Sequence, residues 1–241
     1  MDRSNSMIKQ VFFYWVMVIV LSCAGCSESV IETGGKLRGE EYYPLVVGRY
    51  TDYDVHHILY HEFDEDEIFQ YQMREVLADT FRNNEGQLVY RIEQLVRENE
   101  SEDWEIDSVW TAYLDKARLI KQESNVPYIK LTYPLTLNKA WNGNATNTLD
   151  EELYTIDSVE HTWDTGELSF DNAVTVRHQK DSSLIHKDVR FEVYAEEGGM
   201  VYKKSEVYQY INDSQDPDFG KNIIASGYFL EMKARDTGYI K

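Results

Sequence analysis

From Tyr50 onward, apolar side chains recur at every second position, which is the period of a β-strand with one face turned to a core. Phe69, Tyr71, Met73 and Leu77 share one face of such a segment, and Gln70, Gln72 and Arg74 take the other. Leu88, Tyr90 and Ile92 alternate with Arg91 and Glu93, as Val189, Phe191 and Val193 do with Arg190 and Glu192. This pattern predicts Tyr71 and Phe191 as core residues and Glu192 as a solvent-facing one. Short polar connectors separate the segments, including Asp64-Glu65-Asp66-Glu67, Asn83-Asn84-Glu85-Gly86, Asp164-Thr165-Gly166 and Glu196-Glu197-Gly198-Gly199; these read as hairpin turns. Ten or eleven strands are expected, near residues 50–63, 68–81, 87–97, 104–114, 117–123, 127–135, 153–163, 167–178, 185–196, 200–211 and 222–233. No stretch sustains a helical period, although residues 149–156 have room for a turn or two of helix. Successive hairpins imply an all-β fold, a large antiparallel meander built as a curved sheet, a sandwich or a half-open barrel.

The longest break in the alternation, Asn138 to Glu152, holds Trp141-Asn142-Gly143-Asn144. It is placed either to close one end of the sheet or to divide the domain loosely in two. No Pro/Ser/Gly-rich linker marks a boundary, so residues 42–241 read as a single antiparallel β domain. Ile106-Asp107-Ser108-Val109 recurs as Ile156-Asp157-Ser158-Val159, a four-residue match that does not by itself establish a duplicated sheet. Residues 26–41 are rich in Ser, Glu and Gly and read as a flexible tether.

The N-terminal stretch differs in kind. Arg3 and Lys9 precede an unbroken apolar run, Val11 to Leu21, followed by the small residues Ser22, Ala24 and Gly25. That is the layout of an export signal, and the run is shorter than the roughly 20 residues a membrane span requires. In Cys23-Ala24-Gly25-Cys26 the segment resembles the lipobox of bacterial lipoproteins. The resemblance implies that residues 1–25 are a signal peptide and that Cys26 is acylated, with palmitate among its acyl chains, as the mature N-terminus. Cys23 stands where the lipobox has leucine, which leaves Val20-Leu21-Ser22-Cys23 as a second reading. Tyr42-Tyr43-Pro44-Leu45, continuing through Gly48 and Tyr50, resembles the start of the β domain in an uncharacterised family of Bacteroidota lipoproteins. That likeness covers about ten residues and implies location and β character, with no catalytic residues attached. Ser27 takes the place of the aspartate that retains enterobacterial lipoproteins in the inner membrane, which points to the outer membrane, with the periplasmic and surface-exposed leaflets both open.

Charge and cysteine content narrow the chemistry. Without residues 1–25 the chain carries 22 Lys plus Arg against 42 Asp plus Glu, a net charge of −20. Such a surface repels nucleic acid, so no nucleic-acid partner is expected. Both cysteines, Cys23 and Cys26, lie in the lipobox-like segment ahead of the domain, so the domain has neither an internal disulfide nor a thiolate site. Its 18 Tyr, 9 Phe and 5 Trp supply large buried areas instead. Among the six histidines, His56 and His57 point to opposite faces of a strand, and His57 and His61 sit about 13 Å apart at the strand rise. Distant pairing with His161, His178 or His186 is not required by any spacing. Asp213, Asp216 and Asp218 with Gly220 lack the alternation and terminal glutamate of a calcium loop. No metal or cofactor is expected. Gly-x-Ser-x-Gly, His-Glu-x-x-His and Gly-rich phosphate motifs are absent. Asp107-Ser108-Val109 and Asp157-Ser158-Val159 resemble the short O-glycosylation acceptor of Bacteroidota. The expectation is a membrane-anchored, non-enzymatic binding or assembly module, with an envelope protein or a hydrophobic ligand as partner. The rivals are a carrier of lipid or other amphiphile in a curved sheet, and a hydrolase using dispersed carboxylates.

The two cleavage readings leave different molecules. With Cys26 as the acylated terminus, fractionation with labelled palmitate should show Cys23→Ser still membrane-bound and labelled, and Cys26→Ser unlabelled. The reverse pattern moves the terminus to Cys23.

Overall fold

The computed structural model describes residues 39–240, which belong to one compact unit. After a single 3-10 turn, Glu40–Tyr42, twelve strands follow in chain order: β1 (Arg49–Tyr60), β2 (Glu67–Arg82), β3 (Leu88–Arg97), β4 (Glu105–Asp115), β5 (Arg118–Glu123), β6 (Val126–Thr132), β7 (Ala140–Asn142), β8 (Leu153–Asp164), β9 (Ser169–Ser182), β10 (His186–Ala195), β11 (Gly199–Tyr210) and β12 (Ile224–Tyr239). Each predicted segment corresponds to one of them. The twelfth strand, β7, lies inside the break at 138–152, where three residues are too few to show alternation. Residues 149–156 form no helix; their second half opens β8.

All pairings are antiparallel, in the order β6-β5-β4-β3-β2-β1-β12-β11-β10-β9-β8-β7. This is an up-and-down meander curled so that β1 pairs with β12 in the middle, leaving β6 and β7 as its two edges. Of the expected alternatives, the half-open barrel is the one adopted. The edges meet along a seam: Ile129 N–H donates to Gly143 O at 2.9 Å, and Trp141 Nε1–H to Ile129 O at 2.8 Å. Thr146 and Asn147 side chains donate to Pro127 O at 3.0 and 2.9 Å, and Lys139 Nζ reaches the carbonyls of Thr132 and Tyr133 at 2.9 and 3.0 Å. Side-chain donors thus stand in for much of a backbone ladder, as suits an edge strand that carries Pro127. The break at 138–152 closes the sheet and does not divide the domain.

The end of the barrel where β1 starts is stoppered. Tyr42 and Tyr43 are buried, the Tyr43 ring meets Tyr194 edge-on at 6.2 Å, and the Arg49 guanidinium lies 5.0 Å above Tyr43. At the other side of the molecule, β8 slips register three times against β9, with Glu160 at a φ of +50°. These irregularities let the β8–β9 hairpin bend over the outer face of β10 to β12. There Trp163 packs 5.0 Å from Tyr202 and 6.4 Å from Phe191, and Thr165 Oγ1 donates to Ala234 O at 2.7 Å.

The bent hairpin overturns one expectation about strand faces. Phe191 and Val193 are packed on the outer face of β10, under the hairpin, whereas Glu192 points into the barrel and is 1% exposed. Both faces of β10 are covered, so its polar positions are not solvent positions. Tyr71, Met73 and Leu77 do face inward, but Glu75 between them is also buried. The two Ile-Asp-Ser-Val segments occupy unlike places: Ile106 is exposed and Ile156 fully buried, so the match carries no structural repeat.

The seam has little slack. A Cβ on Gly143 would lie about 2.5 Å from the Tyr154 ring, below any normal contact. Gly143→Ala should therefore cost about 1–3 kcal/mol, the usual range for overpacking, and should speed amide exchange at Ile129. Unchanged exchange there would mean that the seam is not held at this point.

Candidate functional site

A twelve-stranded barrel is wider than the eight-stranded size whose interior side chains fill unaided, and this one is filled in an unusual way. Long charged side chains from β2, β5, β6, β10 and β11 cross it as an alternating ladder. Lys121 Nζ donates to Glu75 Oε2 at 2.6 Å and stands 3.9 Å from Glu123. Glu123 lies 3.4 Å from Lys130, which donates to Glu192 Oε1 at 2.7 Å. Lys203 ends the ladder, 3.5 Å from Glu192. Three carboxylates and three ammonium groups balance. Around them, Tyr43 donates to Glu75 at 3.2 Å, Gln94 to Glu75 at 3.3 Å and Tyr194 to Glu192 at 2.5 Å.

At Glu123, Lys130, Glu192 and the neighbouring His178, burial and pairing act against each other. Desolvation raises the Glu192 carboxyl, but Lys130, His178 and Lys203 outweigh it and hold Glu192 well below the usual carboxylate range. Glu123 is treated alike: burial opposes ionisation, Lys130, Lys203 and Lys121 favour it, and the net shift is downward. Burial lowers Lys130, yet Glu123 and Glu192 together carry it well above an ordinary lysine. His178 goes the other way, because its desolvation exceeds the pull of Glu192 and lowers it. Its ring stacks on Tyr154 at 3.8 Å. Nε2 is 3.3 Å from Glu192 Oε2 but lies off the line of a hydrogen bond, as fits a neutral imidazole.

Above the ladder, on the side away from the tyrosine stopper, the barrel holds a cavity of about 930 Å³. Glu75, Lys121, Glu123 and Lys203 line its charged floor, and Tyr71, Met73, Val96, Trp110, Leu230 and Met232 its wall. The rim is acidic, with Glu98, Glu102, Asp103, Glu105 and Asp107 against Arg97. A space of this size, mostly apolar on the wall with a few converging polar groups, has the form of a small-molecule site.

Of the residues singled out in the sequence for their chemistry, His178 stands beside the ladder and Asp107 at the cavity rim, and the others lie elsewhere. His56 packs on Phe229 at 5.4 Å, and His57 on Phe69 and Tyr228 at 5.8 and 6.4 Å. His61 and His186 make surface contacts with Glu67 and Asp181, each at 2.9 Å. Among the described residues no three His, Cys, Asp or Glu side chains are grouped to hold a metal ion. The Asp213–Asp218 segment is a loop in which Asp213 and Asp216 accept from backbone N–H groups at 2.9 and 2.8 Å. Ser108 Oγ donates to Gln94 at 2.8 Å. Cys23 and Cys26 lie outside the described residues. The floor residues were missed by pattern reading, although a faint signal existed: Glu75, Gln94 and Lys121 occupy positions where the alternation calls for an apolar side chain.

No family model and no curated protein matches the chain. Two solved structures are similar to it in part. A Bacteroides fragilis protein described as exported, with a YmcC-like fold, is 9% identical over 81% of this chain and 98% of its own, with a TM-score of 0.43. A Parabacteroides distasonis protein described as a lipoprotein is 11% identical over 82% and 98% respectively, with a TM-score of 0.39.

The ladder makes stability depend on pH in a definite sense. His178 is lowered from 6.5, so below about pH 6.5 the unfolded chain takes up a proton that the fold refuses, and stability falls. His57, lowered by weaker burial, adds to the same limb. Glu123 and Glu192 are depressed from 4.5, so their contribution is complete above that value and lost as pH drops further. Lys130, raised from 10.5, and the buried Tyr43, Tyr53 and Tyr194, raised from 10.0, give stability that is lost on the alkaline side. Denaturant unfolding should show a plateau between about pH 7 and 9.5, with two acid steps. His178→Asn should shrink the first step and, because His178 is one of the groups that hold Glu192 down, leave the second reduced but present. A single acid step unaffected by that substitution would contradict the assignment.

Proposed function

We propose that this protein is a lipid-anchored envelope lipoprotein whose barrel is a non-catalytic binding module that takes a small amphiphile into its cavity. The observation that carries the reading is the cavity itself: an apolar wall above a charged, buried floor offers different surroundings to the two ends of one ligand. Tyr71, Trp110 and Leu230 suit a hydrocarbon portion, and the ladder suits a polar one. Its volume, about 930 Å³, is at the upper end of ordinary ligand sites. The anchor rests on the lipobox-like segment ending at Cys26, and the placement at the outer membrane on Ser27.

Hydrolysis fits the floor less well. Glycoside hydrolysis by paired carboxyls needs one held protonated near neutral pH, and lysines keep Glu123, the more open of the floor's two carboxylates, ionised. The described chain also begins at the stoppered end of the barrel, so the mouth of the cavity lies opposite the point where the tether joins.

An apolar naphthylamine dye should bind saturably at one site per chain and be displaced by single-chain amphiphiles in proportion to tail length, at about 0.8 kcal/mol per buried CH₂. Leu230→Trp, which fills the wall, should abolish binding while the thermal midpoint stays within a few degrees. Failure of the dye and of every chain length to bind would end the carrier reading.

A further inference from the structure

The members of the ladder are not equally satisfied. Lys121 has Glu75 at 2.6 Å and Lys130 has Glu192 at 2.7 Å, both within direct hydrogen-bond reach. Glu123 is left with cations at 3.4 and 3.9 Å, and Lys203 with a carboxylate at 3.5 Å. These two are also the ladder members most open to the cavity, at 17% and 24% side-chain exposure against 1–5% for the other four. The floor therefore presents one under-used acceptor and one under-used donor to the same cavity, near enough that Lys203 acts electrostatically on Glu123, in a largely desolvated setting where leaving such groups unpaired is costly.

The charges nearby limit what can fill that position. An anionic group would gain Lys203 but would add a negative charge beside Glu123 and Glu192, after passing the acidic rim, where Arg97 is the one lining cation. A cationic group would be drawn to the rim and then set among Lys121, Lys130 and Lys203. A hydroxyl avoids both problems, since it donates and accepts at once without adding charge. Trp110 and Tyr71, on the wall just above, add flat apolar surface against which a ring's C–H faces can rest.

We infer that the occupant of the cavity carries a net-neutral, hydroxyl-bearing head group, seated head-inward between Glu123 and Lys203 with its apolar tail directed toward the mouth. A hydroxyl of the head donates to the Glu123 carboxylate while a neighbouring one accepts from the Lys203 ammonium. This deepens the amphiphile-binding reading and rests on it.

The test compares four probes, each built on a ten-carbon chain, in dye displacement on the full chain: decyl glucoside, decyl phosphocholine, decanoate and decyltrimethylammonium. Decyl glucoside should bind most tightly; decyl phosphocholine, neutral but without a hydrogen-bond donor, should follow; and the two charged probes should be weakest. Lys203→Met should weaken decyl glucoside about tenfold, the worth of one hydrogen bond to a charged group, while leaving decyl phosphocholine less affected. Glu123→Gln, nearly isosteric, should narrow the gap between glucoside and phosphocholine, and it decides the matter if Lys203→Met fails to fold. Binding of decanoate or decyl phosphocholine as tight as that of the glucoside, or equal losses for all four probes in these variants, would overturn the head-group assignment while leaving a carrier in place. No binding by any probe would instead remove the amphiphile reading beneath it.

Discussion

The alternating ladder from Glu75 through Lys121, Glu123, Lys130 and Glu192 to Lys203 is the interaction on which the rest of this structure depends. Burying six charges is expensive, and each is tolerable only because its neighbours have the opposite sign. Apolar residues of similar volume could fill the same space at less electrostatic cost, so the ladder is poorly explained as a source of stability alone. What it adds is specification. Lys130 sits on the edge strand β6 and Glu192 on β10, and Lys121 on β5 reaches Glu75 on β2. Any other curvature of the sheet would separate these pairs and leave uncompensated charges inside.

That role matters because the sheet has two free edges. A meander of twelve strands can remain open, close elsewhere or pair its edges with another chain. Here the seam is held by one backbone hydrogen bond near its centre, with indole, hydroxyl, amide and ammonium donors around it. Such a seam is weak by ladder standards. The ion pairs across the lumen supply a second constraint on the same closure, from inside, while the tyrosine stopper fixes one end.

The same geometry creates the cavity. Side chains long enough to span the barrel must come from both walls, and where they meet they form a floor, with the stopper on one side and unfilled space on the other. The wall above is lined by the apolar half of the alternation, so a polar floor and an apolar chimney arise together from a single packing solution. A cavity with a polar floor and an apolar wall is then a consequence of how a wide barrel is filled, and the ladder members least satisfied by that filling, Glu123 and Lys203, are those turned toward the space.

Much of the fold was legible in the sequence because it is local. Alternation at Tyr71, Met73 and Leu77, and again at Tyr90 and Ile92, places strands without knowledge of their partners, and Asn-Glu-Gly or Asp-Thr-Gly between them places the turns. The all-β class and the antiparallel meander follow from those two signals, whereas the choice of the half-open barrel over a curved sheet or a sandwich does not. The expectation of an N-terminal export signal is local in the same way, resting on charge, an apolar run and small residues within one short stretch. The site was not legible. Period-two reading assigns a polar residue to solvent, and that holds only if the strand has a solvent face. On β10 the bent β8–β9 hairpin covers Val193 and Phe191 from outside, which frees the inner face for Glu192. At Glu75, Gln94 and Lys121 a polar residue stands in the inward series itself. Which carboxylate meets which lysine depends on strands brought together from 62 positions apart, as Lys130 and Glu192 are. Sequence alone determined that the chain folds as an antiparallel meander, because alternation and turns follow from neighbours along the chain. Only the tertiary structure decided that its buried charges pair across a lumen and floor a cavity, because the energy of a buried charge depends on partners that the chain reaches only when closed.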